Sequence, residues 1–238
     1  IEAFQNCRAA GFQNISIDLM YGLPGETLST WQQDLDQALL LHPEHLSAYH
    51  LIYEEDTVLW KLREQHKVEE ADEDLSVSLF STLIDRLTSE GYDHYEISNF
   101  SLPGLYSRHN SSYWTEKKYL GCGPSAHSYN GVSRQWNVAS LDTYIKGISA
   151  GTPVFEIEEL DLYTRYNDFV ITRIRTEWGM PLSKLRDEFG EKLYDYCLRM
   201  AAPHLKQGTL ELVNDILKLT RKGIFISDGI MSDMLWTD

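Results

Sequence analysis

The hydrophobic and polar positions of the N-terminal part of the chain alternate between strand and helix patterns. Residues 15–21 and 46–53 have the composition of buried strands, and an apolar stripe of helical period separates them. A capping-box pattern, Ser29 with Gln32, predicts the start of that helix, and Pro43 predicts its end. Because two strands joined by a helix form a right-handed crossover, we expect them to be parallel neighbours in an α/β sheet or barrel.

Further along, a strong helical stripe predicts a helix over residues 75–91, and a third strand is predicted over residues 92–97. Residues 54–74 are rich in charge and predict a short helix with a loop. Between residues 99 and 137, glycines interleave with tyrosine and tryptophan. This composition predicts irregular backbone, which is where binding sites tend to lie.

Beyond a break at Gly151 the pattern becomes mainly helical and ends in two short strands. Three predicted helices and a hairpin are the signature of a winged-helix-like domain. The predicted elements are helices over residues 161–176, 183–188 and 191–206 and strands over residues 209–213 and 216–219. We therefore predict two domains, residues 1–150 and residues 151–238.

Charge limits the partners that this chain can have. It carries 36 acidic and 21 basic residues, a formal net charge of -15, which argues against nucleic acid as a partner. No apolar run is long enough to span a membrane and no signal segment is recognisable, so a cytoplasmic protein is expected. The three cysteines are odd in number and far apart, which predicts free thiols: Cys7, Cys122 and Cys197.

One carboxylate stands out on the first predicted strand. Alternation along the strand places Ser16, Asp18 and Met20 on the face opposite the aliphatic residues. In a parallel barrel the helices cover the aliphatic face, so Asp18 would point into the lumen, where ligands bind. A carboxylate that caps a loop or pairs with a buried arginine is the alternative, and the residues alone leave both interpretations open.

Three ordered stretches of the chain resemble the oxygen-independent coproporphyrinogen III oxidase family of radical S-adenosylmethionine (SAM) proteins. They are residues 17–27 (IDLMYGLPGET), 95–100 (YEISNF) and 119–128 (YLGCGPSAHS). The resemblance implies an α/β fold, the C-terminal part of an incomplete radical-SAM (β/α) barrel followed by an α+β, winged-helix-like domain. It also implies that Asp18 contacts SAM, and that Ile52 and His127 approach the same cofactor.

The stretch His109-Asn110-Ser111-Ser112-Tyr113-Trp114 is similar to the HNxxYW motif that marks the haem-chaperone (HemW) branch of that family. The resemblance implies that these residues bind haem, with His109 as a ligand of the iron. A neutral imidazole suits that role, Asn110 could orient it, and Tyr113 and Trp114 offer flat apolar surface to a porphyrin. The alternative is a hydrogen-bonded turn with Tyr113 and Trp114 in the core.

Members of this family hold a [4Fe-4S] cluster with three closely spaced cysteines, and no such triplet occurs here. The chain also begins at Ile1, inside a predicted helix. We therefore expect a C-terminal fragment of a longer protein, which cannot perform the radical step alone.

Three functions compete on this basis. The first is a HemW-like protein that binds haem, or another porphyrin, and SAM and delivers haem to respiratory haem proteins. The second is an oxygen-independent coproporphyrinogen III oxidase, which performs oxidative decarboxylation in porphyrin biosynthesis. The third, from another class, is a non-catalytic acidic module for protein interactions. The HNxxYW stretch favours the first, and the inward carboxylate of Asp18 argues against the third.

Overall fold

The computed structural model describes residues 1–237, which form two compact units, residues 1–107 and residues 108–237. The mixed α/β fold class predicted from the sequence is confirmed. No helix among the described residues is both long and apolar enough to cross a membrane.

The first unit is a four-stranded sheet with helices. Its elements are α1 (Glu2–Ala9), β1 (Ser16–Tyr21), α2 (Leu28–Leu40), β2 (His45–His50), α3 (Val58–Glu64), α4 (Glu73–Ser89), β3 (Asp93–Glu96) and β4 (Asn99–Ser101). The strand order is β1-β2-β4-β3. Strands β1 and β2 are parallel and joined by α2, which confirms the predicted parallel pairing.

The far edge of this sheet differs from the prediction. The third predicted strand is present as β3, but its sheet partner is β4, which lies in the segment predicted to be irregular. Strand β4 is antiparallel to both β2 and β3, so a tight hairpin closes this edge. The three residues of β4 are too few to show a strand period in the sequence. Pairing with β2, for example of Asn99 with Ser47, holds them in the sheet instead.

Helices α2 and α4 cover the apolar side of the sheet. Trp31, Leu35, Leu79 and Leu83 are almost completely buried there, and the Trp31 indole donates a hydrogen bond to the Leu79 carbonyl at 3.0 Å. That bond joins the two helices across the core.

Helix α2 begins earlier than its sequence pattern indicated. Its N-cap is Thr27, whose hydroxyl accepts a hydrogen bond from the Thr30 amide, while the Thr30 hydroxyl satisfies the Thr27 amide. The predicted capping box of Ser29 and Gln32 is therefore wrong. The turn at Gly25 already ends in extended backbone at Thr27, so the helix can start at Leu28.

The second unit contains two antiparallel three-stranded sheets and six helices among its described residues. Its elements are α5 (Arg108–Trp114), β5 (His127–Tyr129), β6 (Ser133–Asn137), α6 (Leu141–Ser149), β7 (Phe155–Glu159), α7 (Leu162–Ile174), β8 (Met180–Pro181), α8 (Leu182–Gln207), β9 (Leu210–Val213), β10 (Ile216–Leu219), α9 (Arg221–Ile224) and α10 (Ser227–Met234). The sheets have the orders β5-β6-β7 and β8-β10-β9.

The helices and the hairpin predicted for the C-terminal part are present. Helix α8 is interrupted at Gly190, where φ is 79°, so the two helices predicted on either side of that position are the two halves of α8. The predicted domain boundary at residue 150 stays a prediction. Strand β7, which follows that boundary, pairs with β6, which precedes it.

The last described residues are tied to α7. The Asn167 side chain donates to the Trp236 carbonyl at 3.1 Å and accepts from the Trp236 amide at 2.7 Å, while the Tyr166 hydroxyl donates to the Met234 carbonyl at 3.1 Å. The Trp236 ring stacks on Tyr163 with centroids 5.0 Å apart. These contacts hold residues 234–236 against α7 in the second unit.

Candidate functional site

The polar face of strand β1 carries Asp18. Ser16, Asp18 and Met20 are exposed along β1, while the residues between them are half-buried, so the predicted alternation is confirmed. Parallel pairing sets Asp18 beside Ser47 of β2. Asp18 therefore lies on an accessible surface of the sheet, with its carboxylate available to a ligand. Its predicted contact with SAM stays a prediction.

A buried hydrogen-bond network lies next to Asp18. The His45 ring bonds the Ser16 hydroxyl through Nδ1 and the Tyr95 hydroxyl through Nε2, both at 2.7 Å. Burial lowers the pKa of His45, and the nearby Asp18 carboxylate only partly opposes that effect. Burial also raises the pKa of Tyr95 to about 12. His45 is thus favoured as a neutral ring with both nitrogens hydrogen-bonded, which indicates a structural role.

The same face continues into the edge hairpin. The Ser47 hydroxyl donates to Asn99 at 3.1 Å, and the Asn99 amide donates to the buried carboxylate of Glu96. The sequence had marked Glu96 and Asn99 only as part of the YEISNF stretch. In the structure, the hydrogen bond between them satisfies their polar groups inside the sheet.

The other two residues predicted to approach SAM lie in different units. Ile52 follows β2 in the first unit and is 71% exposed. His127 begins β5 in the second unit, where it is exposed and faces Trp136 across the strand pair with ring centroids 5.9 Å apart. Both positions are accessible, Ile52 with an apolar surface and His127 with an imidazole. Their contact with SAM stays a prediction.

The HNxxYW stretch forms the short helix α5, although irregular backbone was predicted there. The stretch contains neither glycine nor proline, so nothing in it breaks a helix. His109 and Tyr113 are one turn apart on the same face. Their rings pack edge to face with centroids 5.2 Å apart, and the Tyr113 hydroxyl lies 3.4 Å from His109 Nε2. Both side chains are exposed.

The remaining motif residues lie elsewhere on α5. Asn110 follows His109 directly, and adjacent helical residues do not face each other, so Tyr113 is the side chain placed beside the imidazole. Trp114 is half-buried under the guanidinium of Arg175, which stands 4.3 Å from its ring centroid. The motif therefore splits into an exposed pair, His109 and Tyr113, and a packed Trp114. The predicted haem contacts of all four residues stay predictions.

Tyr113 is also the first of three neighbouring tyrosine rings. Its ring lies 5.1 Å from that of Tyr119, and Tyr119 lies 6.1 Å from Tyr129, measured between centroids. The three tyrosines line a cavity of about 310 Å³ whose other walls include Lys117 and Arg165. Burial raises the pKa of Tyr119 and of Tyr129, so both hydroxyls stay neutral. The sequence indicated this region only through its aromatic and glycine-rich composition, and Arg165 gave no signal.

Within residues 1–237, no cluster of three or more His, Cys, Asp or Glu side chains is arranged to hold a metal ion. Cys7 and Cys122 are exposed free thiols. Cys197 is buried, and its burial raises the pKa of the thiol to about 12 despite a hydrogen bond with Tyr166. The described residues therefore do not fit a [4Fe-4S] cluster.

Comparison with known proteins connects the fold and the motifs. Residues 160–226 match the HemN C-terminal domain family. The fold is similar to that of coproporphyrinogen III oxidase (HemN) from Escherichia coli, a radical SAM enzyme, with a TM-score of 0.77 and 20% identity over 98% of this chain and 57% of that one. The chain therefore has a HemN-like fold and contains a segment that matches the HemN C-terminal domain.

Among curated proteins, this chain is 32% identical to the haem chaperone HemW of Mycobacterium tuberculosis over 95% of its length, and 29% identical to that of Bacillus subtilis over 98%. These matches confirm the resemblance predicted from the motifs: the chain is a relative of the HemW haem chaperones. It spans 56% and 62%, respectively, of the lengths of these two relatives.

Proposed function

We propose that this chain carries the haem-binding part of a HemW-like protein, in which His109 is an axial ligand of the haem iron. The observation that carries the proposal is the exposed His109–Tyr113 pair on α5, continued by the row of tyrosine rings. A neutral imidazole is a common iron ligand, and flat aromatic side chains suit the face of a porphyrin. The similarity to HemW chaperones over nearly the whole chain supports haem as the cargo.

The proposal assigns different tasks to the two sides of α5. His109 ligates the iron, and the ring of Tyr113, packed edge to face, limits the rotation of the imidazole. Trp114 packs under the Arg175 guanidinium and so helps to hold α5 in place. Delivery of the bound haem to respiratory haem proteins is the further step that this function implies.

The test is a haem titration of the wild-type chain and of His109→Ala, followed through the Soret band. Loss of the ligand should change the band and weaken binding by at least tenfold, since loss of an outer-shell partner alone costs about 10- to 100-fold. The control is His66→Asn, because His66 is exposed and lies at φ 53°, where asparagine is tolerated. A folded His109→Ala protein with the wild-type spectrum and affinity would contradict the proposal.

We also propose Asp18, Ile52 and His127 as SAM contacts. The exposed Asp18 carboxylate can accept hydrogen bonds from the polar groups of SAM, and the exposed Ile52 offers apolar surface. SAM would supply the reactive group of a radical reaction when bound beside a cluster. The coproporphyrinogen oxidase function is favoured only by the fold match, and conversion of coproporphyrinogen by the full-length protein would establish it.

A further inference from the structure

The cavity beside α5 combines aromatic surface with charge. Rings of Tyr113, Tyr119 and Tyr129 follow one another along its wall at centroid distances of 5.1 and 6.1 Å. Flat rings in this arrangement offer stacking and edge contacts to a planar conjugated ligand. Three basic and three acidic side chains also line the cavity. The charge of the ligand that it favours therefore depends on which of these side chains already pair with each other.

All three carboxylates of the cavity are engaged. Glu116 accepts from Arg173 at 2.7 Å and from Lys184 at 2.8 Å. The other two carboxylates also have partners: Asp168 pairs with Arg134 at 2.5 Å, and Glu188 lies 3.4 Å from Lys184. The negative charge of the cavity is therefore neutralised by the protein itself.

Two cations of the cavity have no such partner. Neither Lys117 nor Arg165 makes an ion pair among the described residues, and the Arg165 guanidinium lies over the Phe189 ring, 5.9 Å from its centroid. The chain has a net charge of -15, yet its own carboxylates do not pair with these two cations of the cavity within the described residues. These cations make this cavity a place where carboxylates of a ligand would be stabilised.

We propose that this cavity binds the carboxylate-bearing edge of a tetrapyrrole, with Lys117 and Arg165 receiving the carboxylates and the tyrosines contacting the ring. The identity of the ligand as a tetrapyrrole rests on the proposed function. The recognition of a planar, carboxylate-bearing molecule rests on the cavity alone. It requires no iron, so it can be measured separately from ligation by His109.

The experiment uses metal-free protoporphyrin IX and its dimethyl ester, whose binding to the whole chain is followed by porphyrin fluorescence. The double variant Lys117→Gln with Arg165→Gln should bind the free diacid about tenfold more weakly, equivalent to about 1.4 kcal/mol. The ester should bind weakly to the wild type and be unaffected by the double variant. The control is Lys118→Gln with Arg199→Gln, which removes the same charge outside the cavity.

The outcomes separate the two proposals. If His109→Ala weakens haem binding while the cavity variant binds free protoporphyrin like the wild type, the cavity proposal is overturned and the proposed function stands. If the cavity variant alone loses protoporphyrin and His109→Ala leaves haem binding unchanged, the cavity proposal stands without the iron ligand. Equal wild-type affinity for diacid and ester would also overturn recognition of the carboxylates. Thermal unfolding of each variant shows that it is folded.

Discussion

Glu116 offers the sharpest test of how the second unit is held together. Its carboxylate accepts hydrogen bonds from Arg173 of α7 and Lys184 of α8, and so joins the segment after α5 to both helices. Its side chain is 25% exposed, against 15% for Arg173 and 37% for Lys184. The contact with Arg173 is the better shielded of the two, so we expect it to contribute more stability.

The substitution Glu116→Gln keeps the shape of the side chain and removes its charge. Hydrogen bonds to charged groups are worth about 1.5–3 kcal/mol when buried, and exposed ion pairs about 0.2–1 kcal/mol. For this partly buried pair of contacts we expect a loss of about 1–2 kcal/mol in the free energy of unfolding at pH 7. The backbone at Glu116 lies at φ 57°, a strain that glutamine shares, so it cancels in the comparison.

The effect should depend on pH in a defined direction. Burial alone would raise the pKa of Glu116, but the bonds from Lys184 and Arg173 outweigh it and hold the pKa below the ordinary 4.5. A lowered pKa gives stability that is fully present above the ordinary value and is lost as the pH falls through the lowered one. The difference between wild type and variant should therefore shrink below pH 4.5.

Urea unfolding of the wild type and of Glu116→Gln at pH 7 and at about pH 3 measures the loss of stability and its dependence on pH. Glu156→Gln is the matched control, because Glu156 is exposed on β7 and makes no ion pair among the described residues. It should change the free energy of unfolding by less than about 0.5 kcal/mol. A Glu116→Gln effect of the same size at both pH values would refute the ionic explanation and point to packing.

Three further predictions concern other parts of the chain. Asn167→Ala should lower the free energy of unfolding by about 1–3 kcal/mol, since it leaves the Trp236 amide and carbonyl without their partner; an unchanged melting temperature would contradict this. Asp18→Ala, in a protein as long as its relatives, should weaken SAM binding by about tenfold or more in calorimetry, and unchanged affinity would remove Asp18 from the site. Anaerobic reconstitution of this chain should yield no stoichiometric iron and sulfide, because Cys197 is buried apart from the exposed Cys7 and Cys122.

The elements that the sequence predicted well are those whose side-chain period follows directly from backbone geometry. The parallel pair β1 and β2, helix α4, and the two halves of α8 each show a full period or a clear break, such as Gly190. The face assignment of Asp18 came from the same alternation. Such patterns are local, so one sequence is enough to read them.

The features that the sequence did not predict depend on residues far apart in the chain. Strand β4 exists because β2 and β3 lie on either side of it, and the ion pairs of Glu116 depend on Arg173 and Lys184, which follow it by 57 and 68 residues. His45 gave no sign of its bonds to Ser16 and Tyr95. In the same way, only the fold brings Arg165 to the tyrosine row.

An acidic protein that binds an anionic ligand has to solve an electrostatic problem locally, because its net charge repels that ligand. Around the tyrosine cavity the solution lies in the pairing: Arg173 and Lys184 neutralise Glu116, and Arg134 neutralises Asp168. If that pairing is what lets Lys117 and Arg165 bind the carboxylates of a ligand, removing the Glu116 charge should strengthen binding of free protoporphyrin. The same change should lower the free energy of unfolding. Stability and affinity would then change in opposite directions in one variant, a result that a purely structural role for Glu116 does not explain.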